Sequence, residues 1–377
     1  MPISRFRFIS LSFKAPRLTF TNTSFNILKR DYTTQDVISF YDDKVTKSAR
    51  YTRSELPVRL ARRVKALQNL PFIVGTNPYI KSVYRLYFNS FEAIRGFPEI
   101  TSIEKDAEFA ALLKETVDLH AVNIPTLAKG FQECRKYMNS EDIKFFLDDM
   151  IRARIGIRLI AEQHIALYNA LHNDHDPNFI GIINTRMRPE KLIEQCAKFV
   201  HELCELHYGS APETIIDGQI DTTFMYVPVH LEYIITEILK NSHRATVEYS
   251  QKINRYDLPP IQVTISQGKN NIGIRVRDQG GGVSAKDLPS IFDYSFTTVP
   301  RDEHEDHPTN NILAGVSTMA MQAGLGGPIA GLGYGLPLAR NYAEYFGGSM
   351  HLMSLHSHGC DVFLYLKQID ESLDLQI

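Results

Sequence analysis

His230-Leu-Glu-Tyr-Ile-Ile-Thr-Glu237-Ile-Leu-Lys240-Asn241-Ser-His-Arg244-Ala-Thr246 is the stretch on which the reading of this chain turns. At 3.6 residues per turn it is an amphipathic helix. Leu231, Ile234, Ile235, Ile238, Leu239 and Ala245 form its buried side. His230, Tyr233, Glu237, Lys240, Asn241 and Arg244 recur at intervals of three or four and share the opposite side. A solvated helix face usually mixes many Lys and Glu. This stripe instead spaces a carboxylate, an ammonium, an amide and a guanidinium, a set that can hold a metal and a polyphosphate. Taken alone, it also fits an ordinary exposed face.

Two later stretches decide between those readings. Residues 272 to 282, Ile-Gly-Ile-Arg-Val-Arg-Asp278-Gln-Gly280-Gly281-Gly282, read as a strand ending in an Asp and a glycine turn. Residues 331 to 337, Gly331-Leu332-Gly333-Tyr334-Gly335-Leu336-Pro337, form a second glycine loop leading into a helix from Leu338 to Phe346. Glu-x-x-x-Asn, Asp-x-Gly-x-Gly and Gly-x-Gly-x-Gly, in that order, resemble the ATP site shared by gyrase, the ATP-dependent heat-shock chaperone of the same superfamily, MutL and histidine kinases. Each piece is weak alone; the ordered triple is specific. The chemistry fits residue by residue. Asp278 can accept from an adenine amino group, and Gly280 and Gly282 let backbone approach the base. The loop at 331 to 335 offers unshielded N–H groups at a helix start, which suits phosphate oxygens. Asn241 is a neutral oxygen ligand for a Mg2+ that keeps its waters and its phosphates.

Composition sets the class. The chain has 377 residues, enough for two domains, and is 44% hydrophobic and 22% charged, as in an ordinary soluble globular protein. Cys134, Cys196, Cys204 and Cys360 are scattered without metal-ligand spacing, which argues against a disulfide scaffold or zinc site and for a reducing compartment. No apolar run approaches the roughly 20 residues of a membrane span. The formal charge of −2 makes nucleic acid an unexpected partner.

The first 30 residues carry Arg5, Arg7, Lys14, Arg17, Lys29 and Arg30, no acidic residue, and many Ser and Thr. That is the make-up of a mitochondrial transit peptide, placed at residues 1–33. Residues 34–175 read as helical, with breaks at Pro71, Gly75-Thr-Asn-Pro78, Gly96-Phe-Pro98 and Asn123-Ile-Pro125. A four-helix bundle is the simplest arrangement. Within it, Arg154-Ile-Gly-Ile-Arg158 places two guanidinium groups one turn apart on a mostly apolar helix. They can bind a small carboxylate effector with His120, or pair with acidic neighbours on another helix. Leu70 to Pro78 reads as a helix break with core side chains or as the border of a peptide-docking groove. Residues 176–377 read as α/β, with a helix from Lys191 to His207 and strands at Ile261 to Ser266, Ile272 to Arg277, Met350 to Leu355 and Asp361 to Lys367. The connection 297–330, between the two glycine motifs, reads as a lid over a nucleotide. A P-loop, a dinucleotide fingerprint and the His-Arg-Asp and Asp-Phe-Gly signatures of typical eukaryotic kinases are all missing from the sequence.

Nearly the whole chain after the presequence resembles the mitochondrial 2-oxo-acid dehydrogenase kinases, of pyruvate and branched-chain type. The likeness lies in Lys47-Ser-Ala-Arg-Tyr51, Glu55-Leu-Pro-Val-Arg59, Leu70 to Pro78, Arg154 to Arg158, Glu237-x-x-Lys-Asn-x-x-Arg-Ala245, Asp293-Tyr-Ser-Phe-Thr-Thr298 and Gly331 to Pro337. The resemblance implies an α+β fold, an N-terminal four-helix bundle followed by a GHKL (Bergerat-type) α/β sandwich that binds ATP. It implies a protein serine kinase that phosphorylates and inactivates the dehydrogenase alpha subunit, here taken as pyruvate dehydrogenase, with the branched-chain enzyme as the alternative. It also implies a homodimer in the mitochondrial matrix, docked through its bundle on the lipoyl domain of the acyltransferase core. ATP and Mg2+ are the expected cofactors, and K+ a further candidate. Carried onto this sequence, Glu237 is the general base, Lys240 and Arg244 stabilise phosphate charge, Asn241 holds Mg2+ and Asp278 reads adenine. Thr297 and Thr298, with Gly331 to Leu336, wrap the nucleotide tail.

Three departures lean toward the branched-chain kinase or alter the site. Tyr233 stands where pyruvate-type enzymes have His, and the tail from Asp370 to Ile377 lacks their Trp. Cys360 replaces the Thr of a Gly-Thr-Asp, which removes a hydroxyl near the adenine. Other classes stay in view: a histidine kinase with His164 as phosphoacceptor, an ATPase acting as a conformational motor, and a catalytically silent docking protein.

Overall fold

A computed structural model describes residues 34–172, 176–294 and 333–369. The helical half begins with α1 (Thr34–Gln68), the short α2 (Phe72–Thr76) and α3 (Pro78–Gly96). Then come α4 (Ile103–Leu119), a 3-10 turn (His120–Val122), α5 (Asn123–Cys134) and α6 (Ser140–His172). The expected breaks at Pro71, Pro78 and Gly96 are helix ends. Asn77 shows why: its side chain accepts from the amides of Tyr79 and Ile80 at 3.0 and 3.3 Å, and Pro78 follows where no amide is needed. Asn123-Ile-Pro125 is instead a helix start, continuous with the 3-10 turn. The stretches 143–150 and 151–168 join in one 33-residue helix, α6, about 50 Å long at 1.5 Å per residue.

Four long helices make the bundle. α1 packs against α3 and α6, and α4 packs against α6. Leu56 and Leu60 of α1, Tyr87 and Ile94 of α3, Phe109 and Leu113 of α4, and Leu147, Ile151 and Ile155 of α6 fill the core between them. Each such side chain contributes roughly 1.5–3 kcal/mol through burial.

The second half runs β1 (Phe179–Ile180), β2 (Ile183–Met187), α7 (Pro189–Tyr208), β3 (Thr214–Gly218), β4 (Phe224–Tyr226) and α8 (Pro228–Lys252). It continues through β5 (Ile261–Gln267), β6 (Asn271–Arg277), α9 (Gly335–Tyr345), β7 (Ser349–Leu355) and β8 (Gly359–Lys367). Five strands form one sheet in the order β3-β5-β6-β8-β7. β3 and β5 are parallel and the remaining neighbours antiparallel. Ile261, Val263, Ile265, Ile272, Ile274, Val276, Val362, Leu364 and Leu366 point inward and are buried. Helices α7, α8 and α9 pack on that side. The alternation that marks a half-buried strand in sequence is therefore the alternation that builds this two-layer α/β sandwich. A smaller sheet, β1-β2-β4, lies beside it.

Four strands, β1 to β4, were not expected from sequence. β1 and β4 have two and three residues, too few to show a period. β3 carries Ile215-Ile216-Asp217-Gly218 at a sheet edge with mixed exposure, so its pattern is blurred.

Candidate active site

Helix α8 supplies the floor of the site. Pro228 opens it and Lys252 closes it, and the face carrying Leu231, Ile234, Ile235, Ile238 and Leu239 is sealed into the core. The expected polar stripe is only partly open. His230 and Tyr233 are buried, because helix α9 covers the first turns of α8: the Tyr342 ring lies 4.8 Å from His230 and 5.2 Å from Tyr233. Burial and then the Arg158 charge push the His230 imidazole down to about 3, so it is neutral. Burial and then Glu237 push the Tyr233 phenol up. Ala245, expected in the core, is half-buried instead.

From Glu237 onward the stripe is open. Lys240 Nζ donates to Glu237 Oε1 at 2.6 Å, an ion pair of neighbouring turns with both groups partly shielded. Asn241 Nδ2 donates to the Glu237 carbonyl at 2.9 Å, which leaves its Oδ1 as the atom for a cation. Among the described residues no cluster of three His, Cys, Asp or Glu can hold a metal. A hard cation here would depend on Asn241 and on ligand oxygens. Arg244 Nε lies 3.7 Å from Glu248 Oε1.

The turn after β6 forms one wall. Asp278 is buried, and its Oδ1 accepts from the amides of Gly280 at 2.9 Å and Cys360 at 3.1 Å. The Asp278 amide donates back to the Cys360 carbonyl at 2.9 Å. Burial pushes the Asp278 carboxyl up from its ordinary value, against the pull of those two amides and Ser242. A buried carboxylate with one oxygen committed is suited to one further N–H donor, such as an adenine amino group. The Cys360 contacts are made by backbone, so a thiol in place of a hydroxyl leaves this bracket intact. The glycines serve the protein's own packing as well as any ligand. A Cβ on Gly280 would lie 2.5 Å from Ala245 Cβ, and one on Gly282, at φ +69°, would lie 2.4 Å from the Leu355 carbonyl oxygen.

The described part of the second glycine loop leads into α9, which packs against α8. Helix α9 begins at Gly335 with no side-chain cap, so its first amides have no intrahelical partner. A Cβ on Gly335 would lie 2.3 Å from Glu237 Oε2. The phosphate-type helix start and the carboxylate thus touch, although the two residues lie far apart in sequence. Tyr334 is buried, its ring 5.3 Å from Tyr294, so it can serve a ligand only through its backbone. Thr297, Thr298, Gly331, Leu332 and the whole segment 297–330 lie outside the described residues.

Residues 226–369 match the histidine kinase-, DNA gyrase B- and HSP90-like ATPase family. Residues 31–184 match the mitochondrial branched-chain alpha-ketoacid dehydrogenase kinase family. The mitochondrial pyruvate dehydrogenase (acetyl-transferring) kinase of Arabidopsis thaliana is 35% identical, with 86% of each chain covered. That of Schizosaccharomyces pombe is 32% identical over 86% of this chain and 89% of its own. Isozyme 1 of Rattus norvegicus is 31% identical over 86% and 74%.

The chain belongs to the mitochondrial 2-oxo-acid dehydrogenase kinases.

In this kinase family member the bundle holds a second polar constellation. Arg154 is buried, its Nε has no hydrogen-bond partner, and no carboxylate pairs with it among the described residues. Arg158 pairs with Glu162 on its own helix at 2.7 Å, not with another helix. Both line a cavity of about 30 Å³ with His120, Tyr87, Leu56, Leu60 and their apolar neighbours. His120 is held at both nitrogens, by Ser90 Oγ at 2.8 Å and Asn123 Nδ2 at 2.9 Å. Burial, then Arg154 and Arg158, push it down to about 3. Ser90 and Asn123 escaped the sequence reading, since neither carries a pattern of its own.

In the Leu70 to Pro78 stretch only Val74 is fully buried, and Phe72 is 85% exposed, so the expected core side chains are largely on the surface. His164 is fully buried, its Nε2 3.1 Å from Asp106 Oδ1, which rules it out as a phosphoacceptor.

Proposed function

We propose that this protein is a pyruvate dehydrogenase kinase that transfers the γ-phosphoryl group of ATP to a serine of the dehydrogenase alpha subunit and so inactivates the complex. The contact between Gly335 and Glu237 carries this reading, because it brings a candidate base to the helix start that would hold the phosphates. Phosphoryl transfer depends on positioning and charge stabilisation more than on covalent chemistry.

Each residue has a task. Glu237 orients the serine hydroxyl and takes its proton. Lys240, paired with Glu237 at rest, and Arg244 offset phosphate charge. Asp278 fixes adenine, and Gly280 and Gly282 shape that wall. Gly331, Leu332, Gly333, Tyr334, Gly335 and Leu336 offer backbone amides to the phosphate tail, with Thr297 and Thr298 beside them. Asn241 offers its Oδ1 to Mg2+, which when bound neutralises charge between the phosphates; K+ is a further candidate ion.

The protein is mitochondrial, and we assign it to the matrix, with residues 1–33 as its presequence. Residues 34–175 serve as the docking and regulatory domain, and 176–377 as the kinase domain with a lid at 297–330. Phe72 and Ile73, both exposed, suit a docking surface for the lipoyl domain. The outer sheet face, with Met353, Leu355, Phe363 and Tyr365 exposed, suits a homodimer contact. The unpartnered Arg154 guanidinium, with Arg158 and neutral His120, suits a small 2-oxo-acid effector. The cavity would open to admit it, since its present size fits little more than water.

Incubation with labelled ATP, MgCl2 and each purified dehydrogenase tests the proposal. Serine label on the alpha subunit of pyruvate dehydrogenase, with loss of its activity, supports it. Label on the branched-chain enzyme alone redirects it, and free phosphate without protein label replaces it with a motor ATPase.

A further inference from the structure

We infer that Asp148, on bundle helix α6, is a positioning residue for phosphoryl transfer: it holds helix α9 so that Gly335 stays against Glu237. The inference rests on the kinase reading of that site.

Lys144, Asp148 and Arg152 follow one another at one-turn spacing along α6 and face the C-terminal half. Lys144 Nζ lies 2.5 Å from Asp293 Oδ1. Arg152 NH2 lies 2.9 Å from Glu344 Oε2, on α9. The Lys144–Asp293 pair is well exposed and holds little, and the Arg152–Glu344 pair is exposed on its arginine side. The group between them differs. Asp148 Oδ1 accepts from the Tyr294 hydroxyl and from Asn341 Nδ2, the latter at 3.1 Å. Asn341 is buried on α9, and its Nδ2 also lies 3.0 Å from the Pro337 carbonyl and 3.0 Å from the Tyr294 hydroxyl oxygen. Its Oδ1 accepts from Arg152 Nε at 3.1 Å. Two donors from different segments therefore converge on a single carboxylate oxygen. Burial and then Asp148 push the Tyr294 phenol up, so its hydroxyl stays a donor.

Position follows from this. Asn341 lies six residues beyond Gly335 on one short helix, about 9 Å along the axis at 1.5 Å per residue. α9 has no side-chain cap of its own at that end. Tyr294, tied to Asp148, also packs its ring, tilted, 5.3 Å from that of Tyr334, the residue before Gly335. Releasing Asp148 leaves the middle of α9 held to α6 only through Arg152 and loosens the ring against its first turn, while α8 and Glu237 keep their own core contacts.

The test compares Asp148→Ala, Tyr294→Phe, their double variant and Asp148→Asn in the full chain, by hydrogen exchange of residues 335–345, thermal midpoint, and kcat and KM of transfer. Asp148→Ala should speed exchange of those amides and lower kcat by about tenfold or more, as expected for a small misplacement, with little change in KM for the dehydrogenase. Tyr294→Phe should do the same to a smaller extent, and the double variant should fall short of the sum. Asp148→Asn, whose Oδ1 still accepts from both donors, should keep at least about half of kcat. Faster exchange with unchanged kcat would overturn the positioning role, and so would Asp148→Asn failing as badly as Asp148→Ala. A wild-type chain that transfers no phosphate would sink the kinase reading instead, and exchange alone would then decide whether Asp148 anchors α9.

Discussion

The two polar sites of this chain use the same sequence device, charged groups one turn apart on a helix, and end in opposite states. On α8 the charges are partly open and already matched, with Glu237 on Lys240 and Asn241 on a backbone carbonyl. What remains unmet there is neutral: an amide oxygen and the first amides of α9. In the bundle the unmet group is a buried guanidinium among apolar side chains. A matched, half-solvated site can accept and release a charged ligand at every cycle. A buried unmatched cation destabilises the empty state and favours whatever anion fills it. On that difference rests our proposal that the first site serves turnover and the second regulation.

The contrast can be broken most forcefully at α8. Glu237→Gln should leave ATP affinity by calorimetry within a few-fold and lower transfer by about 10²–10⁴-fold, the usual weight of a general base. Near-normal transfer would remove Glu237 from the chemistry. Gly335→Ala should lower transfer by about 10²-fold, because a methyl 2.3 Å from Glu237 Oε2 forces the carboxylate or the helix start to move. Asp278→Ala should abolish measurable ATP binding. It should also cost about 1–3 kcal/mol of stability, since the amides of Gly280 and Cys360 lose their acceptor; unchanged affinity would refute the adenine role.

In the bundle the expected sign reverses. Arg154→Met should raise stability by about 1 kcal/mol, as replacing a buried unpaired charge with an apolar group of similar size often does. The same change should blunt inhibition by a 2-oxo acid. A large loss of stability would mean that the guanidinium is paired.

How much of this was legible depended on run length. β5 to β8 each have seven to nine residues with clean alternation, and all four were placed from sequence within a few residues. β1 and β4 are too short to signal at all. At the site, Glu237, Asn241 and Asp278 were named from the ordered motifs and the family resemblance; the structure sets Asp278 beside Ser242 of α8, and Gly335 against Glu237 of the same helix. His230 and Tyr233 misled because a helical wheel shows only which residues share a face. It cannot show that α9, about a hundred residues later, covers two turns of that face. The Asp148–Asn341–Tyr294 group was invisible for the same reason, since its members come from three segments.

A further expected effect concerns acid. His120 and His230 fall to about 3 and His243 to about 4, mainly through burial, below an ordinary value of 6.5. The unfolded chain then binds more protons between those values. Stability is full above pH 6.5 and declines as pH falls, by about 1.4 kcal/mol per unit for each histidine. Removing the Arg154 charge should raise the His120 value and flatten that decline, measured as thermal midpoint against pH. An unchanged profile would show that the Arg154 charge contributes nothing to the depression.

The most direct measurement is hydrogen exchange with and without MgATP. Residues 240–244 of α8, 278–282 after β6 and 333–338 at the start of α9 should gain protection together, at one nucleotide concentration. Protection in one of these segments while the other two exchange unchanged would mean that they do not share a nucleotide.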